Sequence, residues 1–154
     1  MPRINRMVTP QTRHFNARLE PFSAVREFIE RICAGAGVPH GTSEDLILIV
    51  DELSANTVRH GYPSAEGDAG EWPIWVTLSV SGQEVAVLYE DAAPAHDPFE
   101  NIAPPDYSGP PESWRIGGWG VPLVVRIAGN PRYERSGGRN RIHLTVPFNS
   151  RPGG

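Results

Sequence analysis

The spacing of apolar residues along the chain predicts both helices and strands. Apolar side chains that recur every three or four residues predict three helices, over residues 22–35, 42–61 and 121–128. Apolar side chains that alternate with polar ones predict five strands, over residues 14–19, 74–80, 85–89, 133–136 and 139–146. Their order along the chain predicts an α+β fold, a two-layer sandwich in which helices cover one face of a mostly antiparallel sheet.

Polar and proline-rich segments lie outside these elements. Residues 1–12 are polar and are expected to form a flexible N-terminal arm, and residues 149–154 a tail. One domain over residues 13–148 is the simplest division of a chain of 154 residues. A long proline- and glycine-rich segment precedes the third helix, and such a loop inside a domain is often a lid. We place this lid at about 99–118.

The second predicted helix carries a column of polar residues. Glu52, Asn56 and His60 are four residues apart, so they lie one turn above each other among apolar neighbours. Desolvating a carboxylate and an amide costs roughly several kcal/mol unless a partner compensates. A carboxylate that accepts a proton and an amide oxygen that completes a Mg²⁺ shell would together suit a metal-bound phosphate. The alternative is the solvated polar edge of a helix end.

Two further segments carry candidate binding residues. Asp91 follows the middle strand among small residues, where a flat ligand can reach the backbone and donate a hydrogen bond to the carboxylate. The alternative is that Asp91 caps its own proline-rich turn. The glycines of residues 117–120 precede the third helix, where backbone N–H groups and the helix dipole favour an anion. The alternative for this segment is a flexible loop exit.

Composition narrows the chemistry. The formal net charge of −4 gives no basic surface, so nucleic acid is not an expected partner. All 14 basic residues are arginine, which excludes a Walker A loop and a Schiff base, because both need lysine. A metal centre built from His40, His60 and His96 has no ligand spacing to support it. No apolar run reaches about 18 residues, so we expect a cytoplasmic protein without a membrane span.

Together these segments resemble the GHKL (Bergerat-fold) ATPase superfamily, which includes the histidine kinases. Within it, the chain most resembles the anti-sigma factor serine kinases. Four motifs carry the resemblance: Glu52–Asn56 with His60–Tyr62 for the N-box, Asp91 with Asp97 and Pro98 for the first glycine box, Gly117–Gly120 for the second, and Arg135–Arg141 for the closing hairpin. The resemblance covers roughly residues 14–148 and implies the Bergerat ATP-binding fold, with ATP and Mg²⁺ as cofactors.

The resemblance implies roles for the polar column and for the acid after the middle strand. Glu52 would act as the catalytic base on the hydroxyl of a partner serine. Asn56 would bind ATP by ligating the Mg²⁺ that bridges its phosphates. Asp91 would accept a hydrogen bond from the adenine amino group. His60 would order the helix end rather than take part in the chemistry.

The resemblance also implies a phosphate-binding loop. Gly118 and Gly120 would let this loop close on the phosphates. Arg115 would be a candidate to neutralise their charge, and the alternative is a solvated loop arginine. Ala93 belongs to the first glycine box, where family members usually have glycine. Alanine at a position with φ > 0 costs on the order of 1 kcal/mol and would weaken nucleotide binding. Trp119 is a bulky residue inside the second glycine box.

Two functions of different class follow. The first is an ATP-dependent protein serine/threonine kinase that binds a sigma factor and phosphorylates an anti-anti-sigma partner with the STAS fold. Family members dimerise, so a homodimer is also an expectation. The alternative is a non-catalytic regulator with the same fold, which sequesters a partner and turns over little or no nucleotide. Ala93 and Trp119 favour the regulator, whereas Glu52 and Asn56 favour the kinase.

Overall fold

A five-stranded antiparallel sheet packs against three helices in the computed structural model, which describes residues 8–18, 20–62, 71–100 and 120–148. The elements in chain order are β1 (Val8–Asn16), α1 (Phe22–Ala36), α2 (His40–His60), β2 (Pro73–Ser81), β3 (Glu84–Asp91), α3 (Gly120–Ile127), β4 (Gly129–Ser136) and β5 (Arg139–Pro147). The predicted α+β fold with an antiparallel sheet is confirmed. No helix in the described ranges is long and apolar enough to cross a membrane.

The strand order places the end of β3 at the centre of the sheet. The strands lie in the order β1, β2, β3, β5, β4, and every neighbouring pair is antiparallel. Because β5 inserts between β3 and β4, Asp91 at the end of β3 lies opposite Asn140 at the start of β5. The same register places Asp91 opposite Ile74 on its other side.

Alternation along the strands separates a core face from an outer face. On β2, Ile74, Val76, Leu78 and Val80 are buried while the intervening residues are half-buried, and β5 repeats this pattern. The buried faces pack against apolar side chains of α1 and α2, among them Phe28, Ile29, Leu46, Ile49, Val50 and Leu53. The polar column of α2 lies at the edge of this core. Glu52 and Asn56 are half-buried there, and His60 is exposed.

The start of the second helix differs from the prediction. Thr42 and Asp45 resemble a capping box in sequence, but α2 begins at His40 with Pro39 at its N-cap and no side-chain cap hydrogen bond. Proline suits this position because a helix start needs no backbone donor there. Thr42 is instead fully buried inside the helix, so the predicted start at residue 42 is two residues too late.

The first strand is longer than its apolar pattern predicts. β1 begins at Val8 and pairs with β2, so residues 8–12 belong to the sheet rather than to the predicted arm. Pro10 lies at a register shift between Val8 and Gln11, and an edge strand tolerates such a proline. Residues 1–7, the predicted tail, and the predicted lid beyond Glu100 lie outside the described residues.

Candidate functional site

A pocket lies between the C-terminal half of α2, the loop after β3 and the start of β5. Its lining residues come from all three elements: Leu53, Asn56, Thr57, His60, Gly61, Asp91, Ala93, Pro94, His96, Pro98, Asn140 and Ile142. The structure thus brings three of the predicted site residues, Asn56, Asp91 and Ala93, to one pocket. The first and last of these residues in the chain, Leu53 and Ile142, are 89 positions apart, and they come close because β5 pairs with β3.

Asp91 is a buried carboxylate held by three neutral donors. Asp91 is only 5% exposed to solvent. Its Oδ1 accepts hydrogen bonds from Asn140 Nδ2 at 2.7 Å and from the backbone N–H of Ala93 at 3.1 Å. Its Oδ2 accepts one from the Thr57 hydroxyl at 2.8 Å. Hydrogen bonds to a carboxylate are the strong kind, so they compensate the desolvation of Asp91.

Asn140 lines the pocket, but the sequence analysis included it only within the Arg135–Arg141 motif and did not name it as a site residue. It is 3% exposed. Besides Asp91, its Nδ2 reaches the carbonyl oxygens of Pro94 at 3.0 Å and Ala93 at 3.2 Å. Its Oδ1 accepts from the Tyr133 hydroxyl at 2.6 Å and from the His96 N–H at 3.2 Å. Asn140 therefore ties the loop after β3 to the closing hairpin.

Thr57 and Tyr89 form a second buried contact that the sequence did not reveal. The Tyr89 hydroxyl lies 2.7 Å from Thr57 Oγ1, and Tyr89 is completely buried. Burial raises the pKa of Tyr89 well above its usual range, so the phenol keeps its proton. The only signal in the sequence was that Thr57 lies one residue after Asn56, toward the core side of the helix.

A close approach between α2 and the loop after β3 depends on Gly61. A Cβ built on Gly61 would lie 2.5 Å from the Cβ of Ala93 and 2.9 Å from the carbonyl oxygen of Thr57. Ala93 is itself 3% exposed. Glycine at position 61 therefore makes the room that the Ala93 methyl group occupies.

Ala93 carries none of the backbone strain expected at a glycine position. Among the described residues other than glycine, positive φ occurs at Asn130 alone. The expected cost of alanine at a left-handed position therefore does not arise at Ala93. Its carbonyl oxygen accepts a hydrogen bond from Arg135 at 2.7 Å, which further fixes the loop to the closing hairpin.

Tyr62 anchors the same loop from its other side. Its hydroxyl accepts from the N–H of Ala92 at 3.0 Å and donates to the carbonyl oxygen of Pro73 at 2.5 Å. Burial raises the pKa of Tyr62 to about 12, which keeps this donor protonated. The Tyr62 ring stacks on Trp72, with ring centroids 5.5 Å apart.

Glu52 lies on α2, one turn before Asn56, and its side chain contacts the start of α3. A Cβ built on Gly120 would overlap the Glu52 carboxylate, so the two residues are in direct contact. The partial positive charge at a helix N-terminus favours a carboxylate there. Gly120 is the described part of the predicted phosphate loop, because Arg115, Gly118 and Trp119 lie outside the described residues.

Two histidines lie at the rim of the pocket. The rings of His60 and His96 are 5.6 Å apart. Desolvation, His96 and Arg59 lower the pKa of His60, which favours its neutral form. His40 lies at the opposite end of α2, about 30 Å away by the helix rise, so the three histidines do not converge. Within the described ranges, no group of three or more His, Cys, Asp or Glu residues could hold a metal ion.

Comparisons with known proteins agree with this architecture. A family model described as "Histidine kinase-like ATPase domain" matches residues 15–146. No curated protein matches the chain in sequence. The crystal structure of the RsbU and RsbW domains of Rv1364c from Mycobacterium tuberculosis has a similar fold, with a TM-score of 0.61 and 20% sequence identity. The match covers 94% of this chain and 34% of that one, so the chain spans about a third of that protein's length.

Proposed function

The chain belongs to the family of histidine kinase-like ATPase domains, and we propose that it is an ATP- and Mg²⁺-dependent protein serine kinase that acts as an anti-sigma factor. One arrangement on α2 carries this proposal. Asn56 lines the pocket that contains Asp91, and Glu52, one turn away, contacts the first residue of α3. In this proposal Asp91 is the acceptor for the base, Asn56 is the amide that binds the metal, and Glu52 is the proton acceptor beside the pocket.

The residues present fit a magnesium nucleotide. Asp91 is a buried acceptor at the deep end of the pocket, as the amino group of adenine requires. Asn56 offers a single half-buried amide oxygen. One protein oxygen suits Mg²⁺, which keeps several waters and is held mainly through substrate phosphates rather than by a protein cage. Bound Mg·ATP would supply the phosphoryl group and offset its developing negative charge.

Glu52 is the proposed catalytic base. It is half-buried rather than enclosed, which leaves room for the hydroxyl of a serine presented by another protein. Its carboxylate would accept the proton of that hydroxyl as the serine oxygen bonds to the γ-phosphorus, while the bond from that phosphorus to ADP breaks and ADP leaves. The start of α3 holds the carboxylate in place through its contact with Gly120. General-base catalysis of this kind contributes roughly 10²–10⁴-fold to the rate.

The partners follow from the resemblance of the four motifs to anti-sigma factor serine kinases. The shared fold with a solved structure that contains an RsbW domain accords with this choice. The proposed substrate is a serine of a small anti-anti-sigma protein with the STAS fold, and the second partner is a sigma factor. We place this reaction in the cytoplasm, where sigma factors act, and propose that the protein forms a homodimer.

The alternative, a non-catalytic regulator, has lost one of its supports. It relied on strain at Ala93, yet the backbone there lies outside the left-handed region. Trp119, its other support, lies outside the described residues. The contact between Glu52 and Gly120 instead favours a site that performs chemistry.

Phosphotransfer to a STAS partner tests the proposal. The purified protein is incubated with Mg·ATP and a STAS protein encoded near it, and phosphoserine is measured by mass spectrometry. Glu52→Gln should lower the rate by at least roughly 100-fold while ADP affinity stays within a few fold. Asn56→Ala should lower both the rate and the Mg²⁺-dependent part of nucleotide affinity. Glu44→Gln is the matched control, because Glu44 is an exposed glutamate of the same helix.

Two results would contradict the proposal. If the wild-type protein binds ADP in calorimetry but produces no phosphoserine, the non-catalytic regulator replaces the kinase. If it binds neither ADP nor ATP, the nucleotide site itself is refuted. Binding to a purified sigma factor, measured with and without ADP, tests the second partner separately.

A further inference from the structure

We propose that Thr57 and Asn140 are specificity-determining residues, which hold Asp91 from both sides so that a single acceptor position on its Oδ2 faces the ligand. The inference rests on the proposed nucleotide site and adds how that site selects its base. Thr57 comes from α2 and Asn140 from β5, and each contacts a different oxygen of Asp91. We call this arrangement the Asp91 clamp.

The Asp91 carboxylate fixes the hydrogen-bond direction on the α2 side of the clamp. The Thr57 hydroxyl has one hydrogen, and it lies within reach of Asp91 Oδ2, Tyr89 Oη and the carbonyl oxygen of Leu53. If Thr57 donated to Tyr89, its own lone pairs would face Asp91 at 2.8 Å. Because a carboxylate can only accept, Thr57 donates its hydrogen to Asp91, and the Tyr89 hydroxyl supplies the hydrogen for its contact with Thr57.

Backbone groups fix the direction on the β5 side. The amide of Asn140 can be placed in only one orientation, because the His96 N–H can only donate and the carbonyl oxygens of Ala93 and Pro94 can only accept. Its Oδ1 therefore faces His96, and its Nδ2 faces Asp91. Both hydrogens of Nδ2 and both lone pairs of Oδ1 are in use, so Asn140 has nothing left to offer a ligand.

The acceptors of Asp91 can then be assigned. Each carboxylate oxygen can accept about two hydrogen bonds. Oδ1 receives two, from Asn140 and the Ala93 N–H, whereas Oδ2 receives one from Thr57 among the described residues. The remaining position on Oδ2 can only accept a hydrogen bond, and neither Thr57 nor Asn140 can reorient to donate one to the ligand. The deep end of the pocket therefore selects a base that presents an amino group, and rejects one that presents a carbonyl oxygen.

Amino selectivity is the measurement that tests the clamp. Calorimetry gives the Kd of ADP and of purine riboside 5′-diphosphate, which carries hydrogen in place of the 6-amino group. The ratio of the second Kd to the first should be roughly ten or more for the wild-type protein. Thr57→Val and Asn140→Ala should each lower this ratio to within about threefold of one, because the carboxylate is no longer held. Thr57→Ser keeps the hydroxyl and should restore the wild-type ratio.

Asn16→Ala is the matched control. Asn16 is a half-buried asparagine whose side chain accepts backbone N–H groups at the far end of β1, outside the pocket. This variant should keep the wild-type ratio.

Three outcomes separate the clamp from the kinase. If Thr57→Val and Asn140→Ala weaken the binding of both nucleotides equally, with an unchanged ratio, the inference is overturned and those residues have a structural role. A wild-type ratio near one would overturn it as well, while phosphoserine formation would continue to support the kinase. A ratio of ten or more without any phosphoserine would support the clamp and contradict the proposed kinase activity.

Discussion

The two ends of the pocket differ in how completely the described residues enclose them. At the base end, Asp91 is 5% exposed and receives hydrogen bonds from a helix, a strand and its own loop. At the catalytic end, Glu52 and Asn56 are half-buried, and Gly120 is the described part of the phosphate loop. If the proposed function holds, recognition of the base is part of the core, whereas catalysis would take place at the surface, where the serine of another protein would have to reach Glu52.

Asp91→Asn should have the largest effect on nucleotide affinity, because it places an amide among groups that only donate to this position. We expect ADP affinity to fall by roughly 10- to 100-fold, the value of a hydrogen bond to a charged group together with a disrupted clamp. Calorimetry measures the effect. Glu52→Gln is the comparison at the other end and should leave ADP affinity within a few fold. Similar losses of affinity in both variants would remove the distinction between the two ends.

Gly61→Ala should destabilise the base end through backbone crowding. The added Cβ would meet the Cβ of Ala93 at 2.5 Å and a backbone carbonyl oxygen at 2.9 Å. We expect the free energy of unfolding in urea to fall by about 1–3 kcal/mol. Gly35→Ala is the matched control, since a Cβ there meets no atom within 4 Å. Adding Ala93→Gly should recover part of the loss, and an additive double variant would mean that the two residues do not interact.

Gly120→Ala should separate activity from stability at the catalytic end. The added methyl group would overlap the end of the flexible Glu52 side chain, which can move aside without disturbing the core. We expect phosphotransfer to fall by roughly tenfold, because a displaced base loses its alignment. The free energy of unfolding should change by less than about 1 kcal/mol. A variant with full activity would show that the contact does not position Glu52.

The rim of the pocket should show the smallest effect, a dependence of stability on pH. Folding lowers the pKa of His60 below its unfolded value of about 6.5. Between the folded pKa and the unfolded pKa, the folded protein therefore binds fewer protons than the unfolded chain. Stability should therefore rise with pH through that window. His60→Gln should flatten this rise, by roughly 1 °C in Tm between pH 5 and pH 7, because His60 is exposed to solvent. Identical pH profiles would mean that His60 is insensitive to its surroundings.

Local patterns in the sequence predict the elements better than they predict the site. The alternation from Ile74 to Val80 predicts β2 because every second side chain enters the core. The start of α2 was misplaced because Thr42 has the sequence of a cap but the burial of a core residue. Pro10 concealed the first half of β1, because a proline on an edge strand cannot be told from one in a loop by sequence alone.

The missing parts of the site share a physical reason. Thr57 contacts residues that lie 32 and 34 positions further along the chain, and Asn140 contacts Asp91 across 49 positions. No local spacing encodes such contacts, because those of Thr57 depend on how α2 packs against β3, and that of Asn140 depends on the register between β3 and β5. Glu52, Asn56 and Asp91 could be proposed because their motifs are local. Their supports could be found only once the strands were paired.

The position of β5 between β3 and β4 also has a consequence for biosynthesis. A ribosome makes β3 well before β5, yet β5 must insert between β3 and the preceding strand β4. Until Asn140 has emerged, Asp91 lacks a donor for one of its oxygens, and the loop after β3 has no closing hairpin to bind. A nascent chain that ends before Arg139 therefore carries every motif of the α2 column and still lacks a finished base pocket. The nucleotide can act as a ligand for folding only after β5 has been made.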